Sequence, residues 1–169
     1  MAVLLSWGTL AMTGCSKSDD QQQFEQEAHR LPENITRTDA AGHIENEVTD
    51  PDDWRISPMY QGHISLGSLG EFQPPFPNPV DLNSSLNIQI YQRSPDRFNA
   101  LHIQKIDSLG NTGSVHYFDS NTINSTFNDL SISGDLIAGG QGSSASGLYR
   151  ILLYDGRNNL ITYGDIRVR

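Results

Sequence analysis

The sequence predicts an all-β chain whose folded part is an antiparallel β-sandwich. Three observations carry this. Residues 86–91 alternate cleanly, Leu86, Ile88 and Ile90 to one side and Asn87, Gln89 and Tyr91 to the other, as a half-buried strand requires. Comparable short runs recur at near-regular spacing to the end of the chain, with Gly, Asn, Asp and Pro between them. Helix signal is almost confined to residues 21–30. A chain of 169 residues holds one such domain plus extra segments and can bury a real core.

Residues 60–66 read as the first strand, with Tyr60, Gly62, Ile64 and Leu66 on one face. Residues 74–80, Pro-Pro-Phe-Pro-Asn-Pro-Val, hold four prolines in seven positions. Each fixes φ at about −65° and lacks a backbone donor, so the run is neither helix interior nor central strand. It reads as a crossing on the sandwich edge, where missing N–H groups do no harm and discourage pairing with another chain. After the strand at 86–91, Leu101 and Ile103 point inward from residues 101–106, and residues 107–113 close a loop. Further strands are expected over 115–118 and over the polar stretch 122–130, which holds Ile123 and Phe127. Residues 135–138 lead into a flexible loop at 139–147. Residues 148–154 are nearly all apolar, as in a central strand buried on both faces. A turn at 155–159 and a last strand at 160–168 complete the domain.

The segment ahead of the sandwich has a different character. Residues 16–71 carry 12 acids and 4 bases, whereas 72–169 carry 8 and 7, so the acidic excess belongs to the first part. Residues 15–53 therefore read as an acidic, solvated tether and 54–169 as the sandwich domain. Within the tether, Phe24 and Ala28 lie four apart in 21–30, a stretch that forms two or three helical turns or stays flexible. Residues 35–38 and 43–48 flank Gly42 and predict a small hairpin. Asp50, Asp52 and Asp53 lack the spacing and the twelfth-position Glu of a calcium loop and read as a turn. Trp54, a large aromatic in a polar segment, is expected to dock this region on the sandwich rather than to bind ligand.

Residues 2–14 are small or apolar and too short to span a bilayer. They match the apolar region of an export signal, so residues 1–14 read as a signal peptide. They end at Met12-Thr13-Gly14-Cys15, which resembles the lipobox of bacterial lipoproteins. The resemblance implies cleavage before Cys15, acylation of its thiol and attachment to a membrane, and two or more acyl chains anchor stably. Cys15 is the sole cysteine, so no disulfide competes for it. No Lys or Arg precedes it, a departure from the usual basic start of such signals. Ser16-Lys17-Ser18-Asp19-Asp20 resembles the surface-export signal of Bacteroidetes lipoproteins, which implies an outer-membrane, surface-facing location.

Chemistry-bearing patterns are sparse. His29 and His43 lie in the tether; His63, His102 and His116 are isolated on strands, without metal-ligand spacing. Gly140-Gln-Gly142 with Ala145 nominally matches a dinucleotide fingerprint but lacks the βαβ context. Ser143, Ser144 and Ser146 do not complete a nucleophile elbow. No catalytic set, metal site or cofactor is predicted. The acidic balance, with no basic stripe, argues against nucleic acid as partner. Asn34, Asn83 and Asn124 begin N-glycosylation sequons, and Asp107-Ser108-Leu109 resembles the short O-glycosylation motif of Bacteroidetes, with a plain loop as the alternative.

The Pro-Asn-Pro at 77–79, the alternating strand after it and Gly147-Leu-Tyr-Arg-Ile-Leu-Leu-Tyr-Asp-Gly156 resemble type A sorting domains of the type IX secretion system. That resemblance implies an immunoglobulin-like (Ig/fibronectin-like) sandwich. Unlike such cargo, this chain carries a lipobox and no large domain upstream. The sequence thus points to a lipid-anchored envelope protein whose sandwich is a non-enzymatic binding or structural module. Its partner would be an envelope protein or a glycan. A sorting-domain-like module is the alternative, and a carbohydrate-binding protein a further one.

Overall fold

The computed structural model describes residues 17–94, 97–140 and 146–169. Helix α1 (Asp19–Ala28) comes first, and a 3₁₀ turn at Pro58–Tyr60 precedes the strands. These are β1 (Ile64–Ser68), β2 (Glu71–Phe72), β3 (Ser85–Gln92), β4 (Leu101–Asp107), β5 (Thr112–Phe118) and β6 (Phe127–Ser133). The short helix α2 (Gly134–Ala138) leads to β7 (Gly147–Asp155) and β8 (Leu160–Val168). They form two four-stranded sheets, β2-β1-β3-β6 and β5-β4-β7-β8, with all neighbours antiparallel. The chain changes sheet after β3, after β5 and after β6. This is the connectivity of an immunoglobulin- or fibronectin-like sandwich.

The alternation seen in the sequence sets the core. Leu86, Ile88 and Ile90 of β3 are fully buried and meet Leu101, Ile103, Ile132 and Ile151. Full burial of each such side chain contributes roughly 1.5–3 kcal/mol. Two strands begin later than their composition suggests. Pro58 starts a 3₁₀ turn, so β1 begins at Ile64 rather than at Tyr60. Asp119 accepts hydrogen bonds from the N–H groups of Asn121 and Thr122, which folds 119–122 as a turn and delays β6 to Phe127. Residues 134–138 form α2, started by Ser133 Oγ and ended at Gly139 with φ +98°. Strand β7 is central, as expected, between β4 and β8.

The outer face of β7 and β8 is apolar as well, and that face corrects the tether reading. Leu152, Leu160 and Tyr163 would lie in water without cover; Phe24 and Ala28 of α1 pack on them together with Ile106. Helix α1, assigned to the tether of 15–53, is therefore folded onto the second sheet, and Thr36, Thr38 and Asp53 of the same segment are buried as well. The average charge of the segment hid a stripe of two apolar residues. Ser18 Oγ accepts from Gln21 N–H at the start of α1, and Asp19 and Asp20 sit in its first turn, where the helix dipole favours acids. The predicted hairpin forms as a small turn: Thr38 bridges Ile44, Arg37 N–H donates to Val48 C=O, Glu45 N–H to Arg37 C=O and Asp39 N–H to His43 C=O, with Gly42 at φ +87°.

The edge of β8 that faces away from β7 is closed by the first half of the chain. Residues 54–57 run antiparallel to it, Trp54 N–H donating to Tyr163 C=O at 2.7 Å and Ser57 N–H to Ile161 C=O at 2.9 Å. Residues 80–82 run parallel to its end, with Val80 and Leu82 N–H donating to the carbonyls of Arg167 and Arg169 at 2.9 Å. Between these two stretches, side chains take the place of backbone. Asp165 N–H donates to Asp53 Oδ1 at 2.7 Å. Asn78 Nδ2 donates to Asp165 C=O at 2.9 Å, and Asn78 Oδ1 accepts from Arg167 N–H at 3.1 Å. The proline run is thus an edge crossing, as its composition predicts. Asn78 supplies the donors its proline neighbours lack, while its backbone exchanges two hydrogen bonds with Thr38.

Trp54, 1% exposed, docks the segment on the sandwich by lying on Gly164 of β8, where a Cβ would come within 2.3 Å of Cε2. Gly164→Ala should therefore lower stability by about 1–3 kcal/mol in urea unfolding. Adding Trp54→Leu should make the alanine nearly neutral, because the clash is then gone; additive losses would show that the two residues do not press on each other.

Candidate functional site

Closing β8 leaves the corresponding edge of the other sheet open. Strand β2 is only two residues long, paired through Gly67 to Phe72 and Ser68 to Glu71. Gly67 at φ +86° admits no Cβ, since one would sit 2.5 Å from Glu71 C=O. Gln73 N–H donates to Leu66 C=O, and Pro74 and Pro75 then carry the chain away without donors. Past Leu66, toward Ile64, no described strand or bridge pairs with this side of β1.

That edge forms one wall of a cleft of about 840 Å³; α1 and residues 50–58 form the opposite wall. Phe24, Trp54, Ile56 and Leu66 supply apolar lining, and Phe72, 58% exposed, stands at the mouth. Carboxylates outnumber cations around it: Asp20, Glu27, Asp50, Asp53 and Glu71 against Arg55 and Arg93. Arg55 is already engaged, 2.7 Å from both Glu27 Oε2 and Tyr163 Oη and stacked over the Phe24 and Tyr163 rings. Its hydrogen bond holds Glu27 below the usual carboxylate range. Trp54 Nε1 and Ser65 Oγ, both from lining residues, are buried without a hydrogen-bond partner among the described residues.

Beneath the cleft lies a buried polar network. Arg150 and Asp165, directly opposite on β7 and β8, form a two-pronged ion pair at 2.7 and 3.0 Å. Arg150 also donates to the carbonyls of Glu27 and Arg30, and Glu33 N–H donates to Asp165. Asp53 accepts from the N–H groups of Thr36 and Asp165. Burial nevertheless pushes its carboxyl up to about 7, against those two donors and with the charges of Asp165 and Asp50 adding to the rise. Sequence reasoning passed over the Arg150–Asp165 pair. Its signal was partial: opposite charges five residues before and six after the 155–159 turn, each inside an apolar strand, brought opposite by a register shift at Leu153/Tyr154.

The residues singled out from the sequence scatter. Cys15, Gly142, Ser143, Ser144 and Ala145 lie outside the described residues. Asp50 and Asp52 form a turn, Asp52 N–H donating to Asp50 Oδ1, while Asp53 turns inward. His43 contacts Asp39 within its own turn, His63 lies 2.9 Å from Ser94 Oγ, and His116 meets Phe118 edge to face. Asp107 accepts from Leu109 and Asn111 N–H and so shapes the exposed β4–β5 turn that carries Ser108. Among the described residues no three His, Cys, Asp or Glu side chains converge as a metal site. His102 belongs to a row across three strands, opposite Tyr154 on β7 and Tyr117 on β5. Gln104 and Ser114 lie next to it, and His29 reaches to 3.2 Å from Tyr154 Oη.

No family model matches the chain, and no curated protein matches it. Among solved structures, a neutron crystallographic structure of a lytic polysaccharide monooxygenase from Jonesia denitrificans is similar at 14% identity and a TM-score of 0.33. The match covers 56% of this chain and 58% of that one, and it carries no weight for function.

Asp53 gives a pH test. Its folded value lies above the unfolded one of about 3.9, so the folded state holds the extra proton between the two. Its contribution is complete below the unfolded value and is lost as pH rises through about 7. Stability should therefore rise by about 1 kcal/mol on going from pH 8 to pH 6. Asp53→Asn, whose amide cannot accept from both backbone donors, should cost about 1–3 kcal/mol and flatten that slope. An unchanged slope in urea titrations would exclude Asp53 as its source.

Proposed function

We propose that this chain is a non-enzymatic binding module held at the cell envelope by lipid on Cys15, with the cleft beside β1 as its binding site. The observation that supports the binding role is the cleft itself: apolar inside, carboxylate-rimmed, and walled by a strand edge left open while the edge of β8 is closed. The lipobox-like Met12-Thr13-Gly14-Cys15 supports the anchor. No described helix is long and apolar enough to cross a membrane. Glycan binding is a second reading, favoured by a different surface. Tyr117, 56% exposed and edge-on to His102, offers a ring face for stacking, with Gln104 and Ser114 as polar neighbours of His102.

The anchor predicts that native protein carries acyl groups on Cys15 by intact mass, and that Cys15→Ser leaves the membrane fraction. An unmodified thiol on membrane-associated protein would sink that part. For the binding site, a photo-crosslinking benzoylphenylalanine is placed in cells at position 72, at 117, and at 109, where Leu109 is 84% exposed on the β4–β5 turn. Adducts at 72 above the level at 109 are expected. Adducts confined to 117, and made with polysaccharide, would favour the glycan reading; equal yields at all three would remove the cleft as a site.

A further inference from the structure

We propose that the cleft takes an extended, cationic peptide segment of a partner protein, which adds a strand to the open edge of β1. The proposal rests on reading the cleft as the binding site and names its occupant. Free backbone groups of β1 face the cleft. Arg93 N–H donates to His63 C=O, so His63 faces β3; Leu66 C=O, which accepts from Gln73, faces the other way. By strand alternation the N–H and C=O of Ile64 point to the same side as those of Leu66, into the cleft. An unpaired strand edge is a template for another strand, and natural sheets cover or blunt it unless it is used. Here the chain covers the edge of β8 from Ile161 to Arg169, yet leaves this one open.

Shape and charge point the same way. A strand laid along Ile64–Leu66 alternates its side chains between two faces. One set meets Phe24, Ile56 and Phe72; the other meets the rim, where Asp20, Asp50 and Glu71 have no cation in hydrogen-bonded contact comparable to the Arg55–Glu27 pair. Apolar residues alternating with Lys or Arg satisfy both. The buried Ser65 hydroxyl on the same wall is a further group for such a strand to engage. A second copy of this chain fits poorly, because each copy brings a net charge of −9.

The test uses the full chain in detergent micelles and a fluorescein-labelled peptide, Lys-Val repeated four times, read by anisotropy. Saturable binding is expected. N-methylation of alternate peptide nitrogens, which removes strand pairing but keeps charge and side chains, should weaken binding at least tenfold. Replacing every Lys by Thr should do the same. Asp20→Lys with Glu71→Lys, both exposed positions, should weaken the cationic peptide and spare the Thr peptide. Equal affinity for the N-methylated peptide overturns strand addition; equal affinity for the Thr peptide overturns the charge assignment. Absence of binding at 1 mM peptide, or displacement of the peptide by a concentration-dependent dimer, overturns the occupant. Because crosslinking at position 72 is independent of these peptides, adducts there with no peptide binding would leave the cleft a site and reject only this ligand.

Discussion

The structure depends on how the last strand of the chain satisfies its outer edge. A strand buried on both faces cannot leave its N–H and C=O groups unpaired, since each orphan costs about 1–3 kcal/mol. In β8 those groups are met by backbone at both ends and by the side chains of Asp53 and Asn78 in between. Both side chains carry acceptors, and Asn78 a donor too, in the positions a neighbouring strand would offer. This explains why an aspartate is buried at that point and why an asparagine stands between two prolines. The docking of Trp54 and of the 35–48 turn follows from it, since Trp54 is next to Asp53 and the turn is held through Thr36 to Asp53 and Thr38 to Asn78.

The strands were largely legible because burial on one face imposes a period of two, and Leu86, Ile88 and Ile90 display it without interruption. The role of Trp54 was legible for a similar reason: so large a ring in polar surroundings needs a surface to cover. The boundary of the fold was not legible. Phe24 and Ala28 are two residues among many polar ones, and the face they cover, with Leu152 and Tyr163, comes from strands more than a hundred residues away. The candidate site was invisible for another reason. A cleft has no periodicity. It arises because β2 stops after two residues and the prolines turn away, and the open edge of β1 is a property of what is missing beside it.

The acidic first part of the chain also changes meaning. As composition it suggests a solvated spacer. In the fold its charges are put to different uses: Asp53 is buried as an acceptor for β8, Asp39 shapes a turn, Asp50 both shapes a turn and rims the cleft, and Asp20 and Glu27 rim the cleft. The same residue type thus serves where charge is costly and where it is free, and only the three-dimensional neighbours separate the cases.

The contacts that hold the first segment in place span very long stretches of chain: 112 residues from Asp53 to Asp165, 123 from Glu27 to Arg150 and 132 from Glu33 to Asp165. Residues 19–53 therefore have no docking surface until β7 and β8 have formed their hairpin. Loop closure over such distances must precede the contacts that reward it, which places this chain among slow, non-local folders. Until that hairpin exists, Phe24 and Ala28 have no apolar face to cover. The β7–β8 hairpin is then the event that lets the two halves of the molecule become one.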